Sequence, residues 1–148
     1  MLLLLRFAHI LIAVIAVGAS LTYTLWLRIG ERHPDHLAYT IRGIRTIDRR
    51  VANPAYGLLL VTGLAMVGAA GIPLAQGWLL TALAIYVAVA LVGYFVYGPV
   101  IRGELAALEQ GGVTDPDYLR YRGRSRQLAV VTITAVLVIL ALMVTKPF

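Results

Sequence analysis

The 148-residue sequence contains no cysteine, which excludes disulfides, iron–sulfur clusters and thiolate metal sites. It is also poor in charge: 14% of its residues are charged, against about 25% in an ordinary soluble domain. No Asp or Glu falls inside any of its long apolar runs, and no Lys or Arg lies near the middle of one. Proton-coupled transporters and ion pumps place such groups at mid-membrane, so a transporter acting alone is disfavoured. Internal repeats, low-complexity tracts and paired Gly/Pro breaks in corresponding halves are absent as well.

What fills the chain instead is apolar: 60% of the residues are hydrophobic. A soluble domain of this length has no core large enough to hide that much apolar surface, so the sequence reads as a membrane protein. Four apolar segments stand out, at about 3–27, 54–71, 78–101 and 127–145. Each is close to the roughly 20 helical residues that cross a hydrocarbon core. The expected fold is an all-α, four-helix transmembrane bundle forming one domain over 1–148. Val17-Gly18-Ala19 has the small residues of a signal-peptidase site, but the apolar run continues past it to Trp26 and Leu27. An uncleaved first transmembrane helix is expected.

The cations fix an expected orientation. Arg28, Arg32, Arg42, Arg45, Arg49 and Arg50 lie between the first two segments, and Arg102, Arg120, Arg122, Arg124 and Arg126 between the last two. That puts 11 of the 13 Lys and Arg residues in two loops on one side, whereas the short turn through Pro73 has no charge. By the positive-inside rule these loops are cytoplasmic, with both termini and the Pro73 turn outside, in a bacterial inner membrane. The net charge of +6 therefore serves topology and lipid headgroups, and nucleic acid is not an expected partner. Trp26, Tyr56 and Tyr97 near the inner ends and Trp78 near the outer surface fit interfacial aromatic belts.

In the first basic loop Leu37, Ile41, Ile44, Ile47 and Val51 recur at helical spacing, with Arg42, Arg45 and Arg49 on another face. Two readings compete: a basic amphipathic helix along the inner membrane surface, with Asp35 as N-cap, or an extension of the second transmembrane helix bent at Pro54. Asn53-Pro54 has the chemistry of a helix start. Gly71-Ile72-Pro73 ends the second helix and makes helices two and three a hairpin. In the second basic loop Gly111-Gly112 is a break, and Asp115-Pro116 an N-cap opening a short helix into Arg126.

One histidine lies within an apolar run. His9 sits near the start of the first helix, roughly 9 Å below Leu3 at helical rise, and an intramembrane ionisable residue is by default a functional-site hypothesis. Arg6 is one turn away on the same face, Tyr86 of the third helix points toward the same outer half, and Met66 and Met143 reach that side. The group formed by His9, Arg6 and Tyr86 is a candidate b-type haem site, with His9 as axial ligand and Arg6 on a propionate. The competing reading is structural: one histidine hydrogen-bonded to a neighbouring helix, with methionines as packing filler. Ala13, Ala16, Ser20 and Tyr23 continue the His9 face as a small-residue stripe, joined loosely by Gly57, Gly63 and Gly68. His33 and His36, flanking Pro34, read as solvated loop histidines rather than metal ligands.

The Arg6-Phe7-Ala8-His9 opening, the Arg49-Arg50 pair, the helix carrying Thr62-Gly63-Leu64 and the Lys146-Pro147-Phe148 ending together resemble the HemJ-type protoporphyrinogen oxidases. The same outline is similar to the CopD-like copper-resistance proteins and to a sister bacterial family of predicted integral membrane proteins of unknown function. The third helix opens Gly77-Trp78-Leu79-Leu80-Thr81-Ala82, without the HemJ lysine, and Gly93-Tyr94-Phe95 lacks the HemJ histidine. The fourth opens Gln127-Leu128-Ala129, without the Asn-Glu pair. Of the HemJ functional residues only His9 transfers, so the resemblance implies membership of the sister family. Two functions are consistent with the sequence. The first is a non-enzymatic accessory or structural subunit of a larger membrane complex, in contact with lipid and with other subunits or further copies of itself. The alternative is a haem b-binding redox protein or HemJ-like porphyrinogen oxidase that uses His9.

Overall fold

The computed structural model describes residues 1–147; Phe148, the last residue of the Lys146-Pro147-Phe148 ending, lies outside the described residues. Helices account for nearly all of it: α1 (Leu2–Glu31), α2 (Pro34–Ile47), α3 (Asn53–Ala69), α4 (Gly77–Val92), α5 (Gly98–Gly111) and α6 (Pro116–Thr145). Short π-helical segments join α2 to α3 (Asp48–Ala52) and α4 to α5 (Gly93–Tyr97). The result is four helical spans long and apolar enough to cross a membrane: Leu2–Glu31, Pro34–Ala69, Gly77–Gly111 and Pro116–Thr145.

Both π segments have a proline at their exit. Pro54 and Pro99 bring no N–H to the helix, and each ring crowds the carbonyl of the turn before it. The chain widens instead: the Asn53 N–H bonds the Asp48 carbonyl, and the Gly98 N–H bonds the Gly93 carbonyl. These i→i+5 bonds carry the helix past the proline without a break. Asn53-Pro54 is therefore not a helix start, and the amphipathic helix runs on from α2 into the second span. His33 occupies the N-cap of α2 with Pro34 at its first turn, so Asp35 lies in that turn and not at the cap. The Tyr/Arg-rich stretch from Pro116 to Arg126 is continuous with the fourth span as the single helix α6.

The chain divides into two compact units, Met1–Leu74 and Ala75–Phe148. In the first, α1 packs antiparallel against α2, the π segment and α3, as its pairings show: His9 meets Thr62, Ser20 meets Tyr56, and Gly30 lies against Leu37 and Thr40. Small residues make the close approach possible. Ala16 and Ala52 are fully buried, and Ala55 nearly so. At Gly30 a methyl group would come within 3.1 Å of both Leu37 and Thr40. The apolar face of α2, formed by Leu37, Ile41 and Ile44, is buried by this contact with the end of α1. The Ala13-to-Tyr23 stripe is thus a packing seam. On α3 only Gly63 joins it; Gly57 and Gly68 face open space.

In the second unit α6 runs antiparallel along α4 and α5, with Lys146 stacked 5.6 Å over the Trp78 ring at one end and Tyr121 against Gly103 at the other. Trp78 is buried, and its Nε1–H donates to Gln76 Oε1 at 2.7 Å. The Arg-rich end is a helical hairpin whose apolar layer includes Ile101, Leu105, Leu108 and Tyr118. Asp115 caps α6 by accepting from the Asp117 and Tyr118 N–H groups at 2.8 and 3.1 Å. This satisfies two of the donors that a helix start leaves free. The preceding Gly112 stands at φ +77°, ψ −169°, a conformation reserved for glycine.

Outside these contacts the spans are covered with exposed apolar side chains, among them Leu3, Phe7, Val14 and Leu58 in the first unit and Tyr94, Val130, Val131 and Val144 in the second. Such surface suits contact with lipid hydrocarbon.

Candidate functional site

His9 is held by Thr62. The Nδ1 atom of the imidazole lies 2.7 Å from Thr62 Oγ1, which is also 2.7 Å from the Leu58 carbonyl one turn back along α3. A threonine hydroxyl has a single proton. The Leu58 carbonyl can only accept; with the Thr62 proton directed to it, His9 Nδ1 is the donor of the second contact. In that tautomer Nδ1 carries the hydrogen and Nε2 presents its lone pair away from the bond. Gly63 sets the clearance, since a Cβ there would lie 3.3 Å from His9 Cε1. The imidazole is half-buried between α1 and α3, with one edge reaching the unit's surface.

A second polar group lies three turns along α1. Ser20 Oγ lies 3.0 Å from the Ala16 carbonyl and 3.0 Å from the Tyr56 hydroxyl, with which it shares a hydrogen bond. This bond fastens α1 to the helix that returns beside it. Nearer the Arg-rich end, Asn53 Nδ2 donates to Asp48 Oδ2 at 3.2 Å. Asp48 opens the π segment. The Thr62 contact engages His9 Nδ1 alone and leaves Nε2 outside it.

The family comparison accords with this picture of apolar spans. A model for predicted integral membrane proteins, DUF2269, matches residues 3–147. The chain belongs to the DUF2269 family. No curated protein and no solved structure matches it.

Other residues singled out from the sequence take varied positions on this DUF2269 chain. Arg6 is exposed on α1, three residues from His9. Tyr86 lies on α4 of the second unit, and Met143 on α6 of that unit. Met66 stands one turn beyond Thr62 on α3, half-buried. His33 and His36 are exposed at the start of α2. Among the described residues no three His, Cys, Asp or Glu side chains gather as a site for a metal ion.

The charged pair of the second unit escapes a reading based on apolar runs alone. Glu104 on α5 is completely buried, with Arg122 Nη1 of α6 3.7 Å from its Oε1 and Ser125 buried on the same helix. Its signal was present: Ile101, Glu104, Leu105 and Leu108 follow one helical face, so the carboxylate shares the buried stripe. This pair is a structural clasp between α5 and α6.

Proposed function

We propose that this DUF2269 chain is a haem b-binding protein of the bacterial inner membrane, with His9 Nε2 as the axial ligand. The observation that carries the reading is the Thr62 bond to His9 Nδ1, which engages that ring nitrogen and leaves Nε2 outside the bond. Histidines that bind metal are oriented in this way, by a hydrogen bond from the nitrogen that does not ligate. The donor set fits a porphyrin better than a bare ion. A bare ion needs several protein ligands, whereas a haem iron brings four nitrogens of its own and asks the protein for one or two. His9, singled out as the lone imidazole of the apolar runs, is also the one HemJ functional residue that this sequence keeps.

The residues have defined tasks in this reading. Thr62 and Gly63 hold and clear the imidazole, and Arg6, exposed one turn away, supplies a cation for a propionate. A haem held there supplies one-electron exchange between ferric and ferrous iron. The Arg-rich loops face the cytoplasm, as the positive-inside rule requires. A visible absorption spectrum, oxidised and then reduced with dithionite, tests the reading on protein purified in mild detergent from haem-replete cells. A Soret band with a reduced α-band is expected. A colourless protein would overturn it and leave the accessory-subunit role. That role draws on the same fastened α1–α3 pair, whose polar groups are otherwise spent on holding the helices together.

A further inference from the structure

Apart from His9, the second unit has a feature with its own chemistry, at the boundary where α6 turns from basic to apolar. Arg126 is the last charged residue before a run that stays uncharged until Lys146. With Gln127 it forms the polar rim of a shallow groove whose floor is Val130 and Val131. Both valines are about 60% exposed: 59% for Val130 and 62% for Val131. One turn toward the basic end, on the same face, is Gly123, where an added Cβ would meet nothing within 4 Å. Arg120 is exposed three residues before that notch. The face therefore reads, along one helix, as cation, open space, cation with amide, then apolar wall.

Two acids of this end are engaged within the hairpin, and Asp117 is exposed in the first turn of α6, three residues before Arg120. Glu104 is buried against Arg122, and the Asp115 carboxylate is used to cap α6. Arg120, Arg124 and Arg126 are exposed, and around Arg124 and Arg126 this surface presents positive charge directly above exposed aliphatic side chains. A soluble anion has no use for the valines, and a hydrocarbon chain has none for the arginines. We propose that this face of α6 is a binding site for an anionic phospholipid, with its phosphate on Arg126 and Gln127, its headgroup in the Gly123 notch toward Arg120, and its upper acyl chain along Val130 and Val131. A planar guanidinium suits the phosphodiester because it offers two parallel donors to its oxygens.

The test is native mass spectrometry of the full chain, delipidated in detergent and titrated with phosphatidylglycerol or phosphatidylcholine. Wild type retains phosphatidylglycerol in preference to phosphatidylcholine. Arg126→Gln lowers that preference about five-fold, which corresponds to one interfacial cation at roughly 1 kcal/mol. Arg50→Gln, an exposed arginine of the first unit, leaves the preference unchanged. Gly123→Leu, which fills the notch on an exposed face, weakens retention while Arg126 is intact. Equal retention of the two lipids by wild type would overturn the site. So would an Arg50→Gln loss as large as that of Arg126→Gln, which would mean diffuse charge in place of a groove.

Discussion

His9 and Thr62 lie 53 residues apart in sequence and 2.7 Å apart in space, and their bond ties α1 to α3 at this level. With the Thr62 hydroxyl donating to the Leu58 carbonyl at 2.7 Å, the imidazole is a donor at Nδ1 and a base at Nε2. The first predictions follow from that geometry.

Thr62→Val removes the acceptor while keeping the shape. The helix pair should lose about 0.6 kcal/mol, the average for a hydrogen bond between membrane helices. Haem affinity should fall by about 10- to 100-fold, as for other groups that orient a metal ligand. Thr62→Ser restores both. Thermal unfolding in detergent and haem titration measure the two effects separately.

Gly63→Val places a branched side chain where even a Cβ would stand 3.3 Å from His9 Cε1. The imidazole must swing away from Thr62, so pigment should be lost while the protein still purifies as a folded chain. Gly57→Val serves as the control, because a Cβ at Gly57 meets nothing within 4 Å. It should keep its pigment.

Arg122→Ala takes away the guanidinium beside a carboxylate with no exposure to water. Removing one partner of a buried pair costs about 3 kcal/mol or more. The expected outcome is a clear fall in the unfolding temperature with the absorption spectrum unchanged, since Glu104 and Arg122 serve the α5–α6 hairpin and not the His9 site.

Asp115→Ala should cost about 1 kcal/mol, through the two N–H groups left without their cap. Gly112→Ala should cost about 1–3 kcal/mol, because φ +77° with ψ −169° strains any residue that has a Cβ. Protease sensitivity between α5 and α6 reads both.

Much of this architecture was legible in the sequence because it rests on local chemistry. Four apolar runs, the Asp115-Pro116 cap and the small-residue stripe through Ala16 and Ser20 all appear where their side chains require. At Pro54 the sequence left a helix start and a bent continuation both open, and a π turn that absorbs the missing N–H decides for the continuation. A second π turn carries the third span past Pro99 in the same way. Lengths suffered accordingly: the second span begins at Pro34 and the third runs to Gly111. His9 was legible as a lone imidazole in an apolar run. Its partner was not, since Thr62 is one of several threonines in the spans, and only the antiparallel register brings residue 62 to the level of residue 9.

The most direct test of the central claim is the reduced-minus-oxidised visible spectrum of wild type beside His9→Ala, purified from the same haem-replete cells. The account predicts a haem b α-band in wild type and none in His9→Ala, with both proteins recovered in similar yield. A pigmented His9→Ala protein, or a colourless wild type, would contradict it.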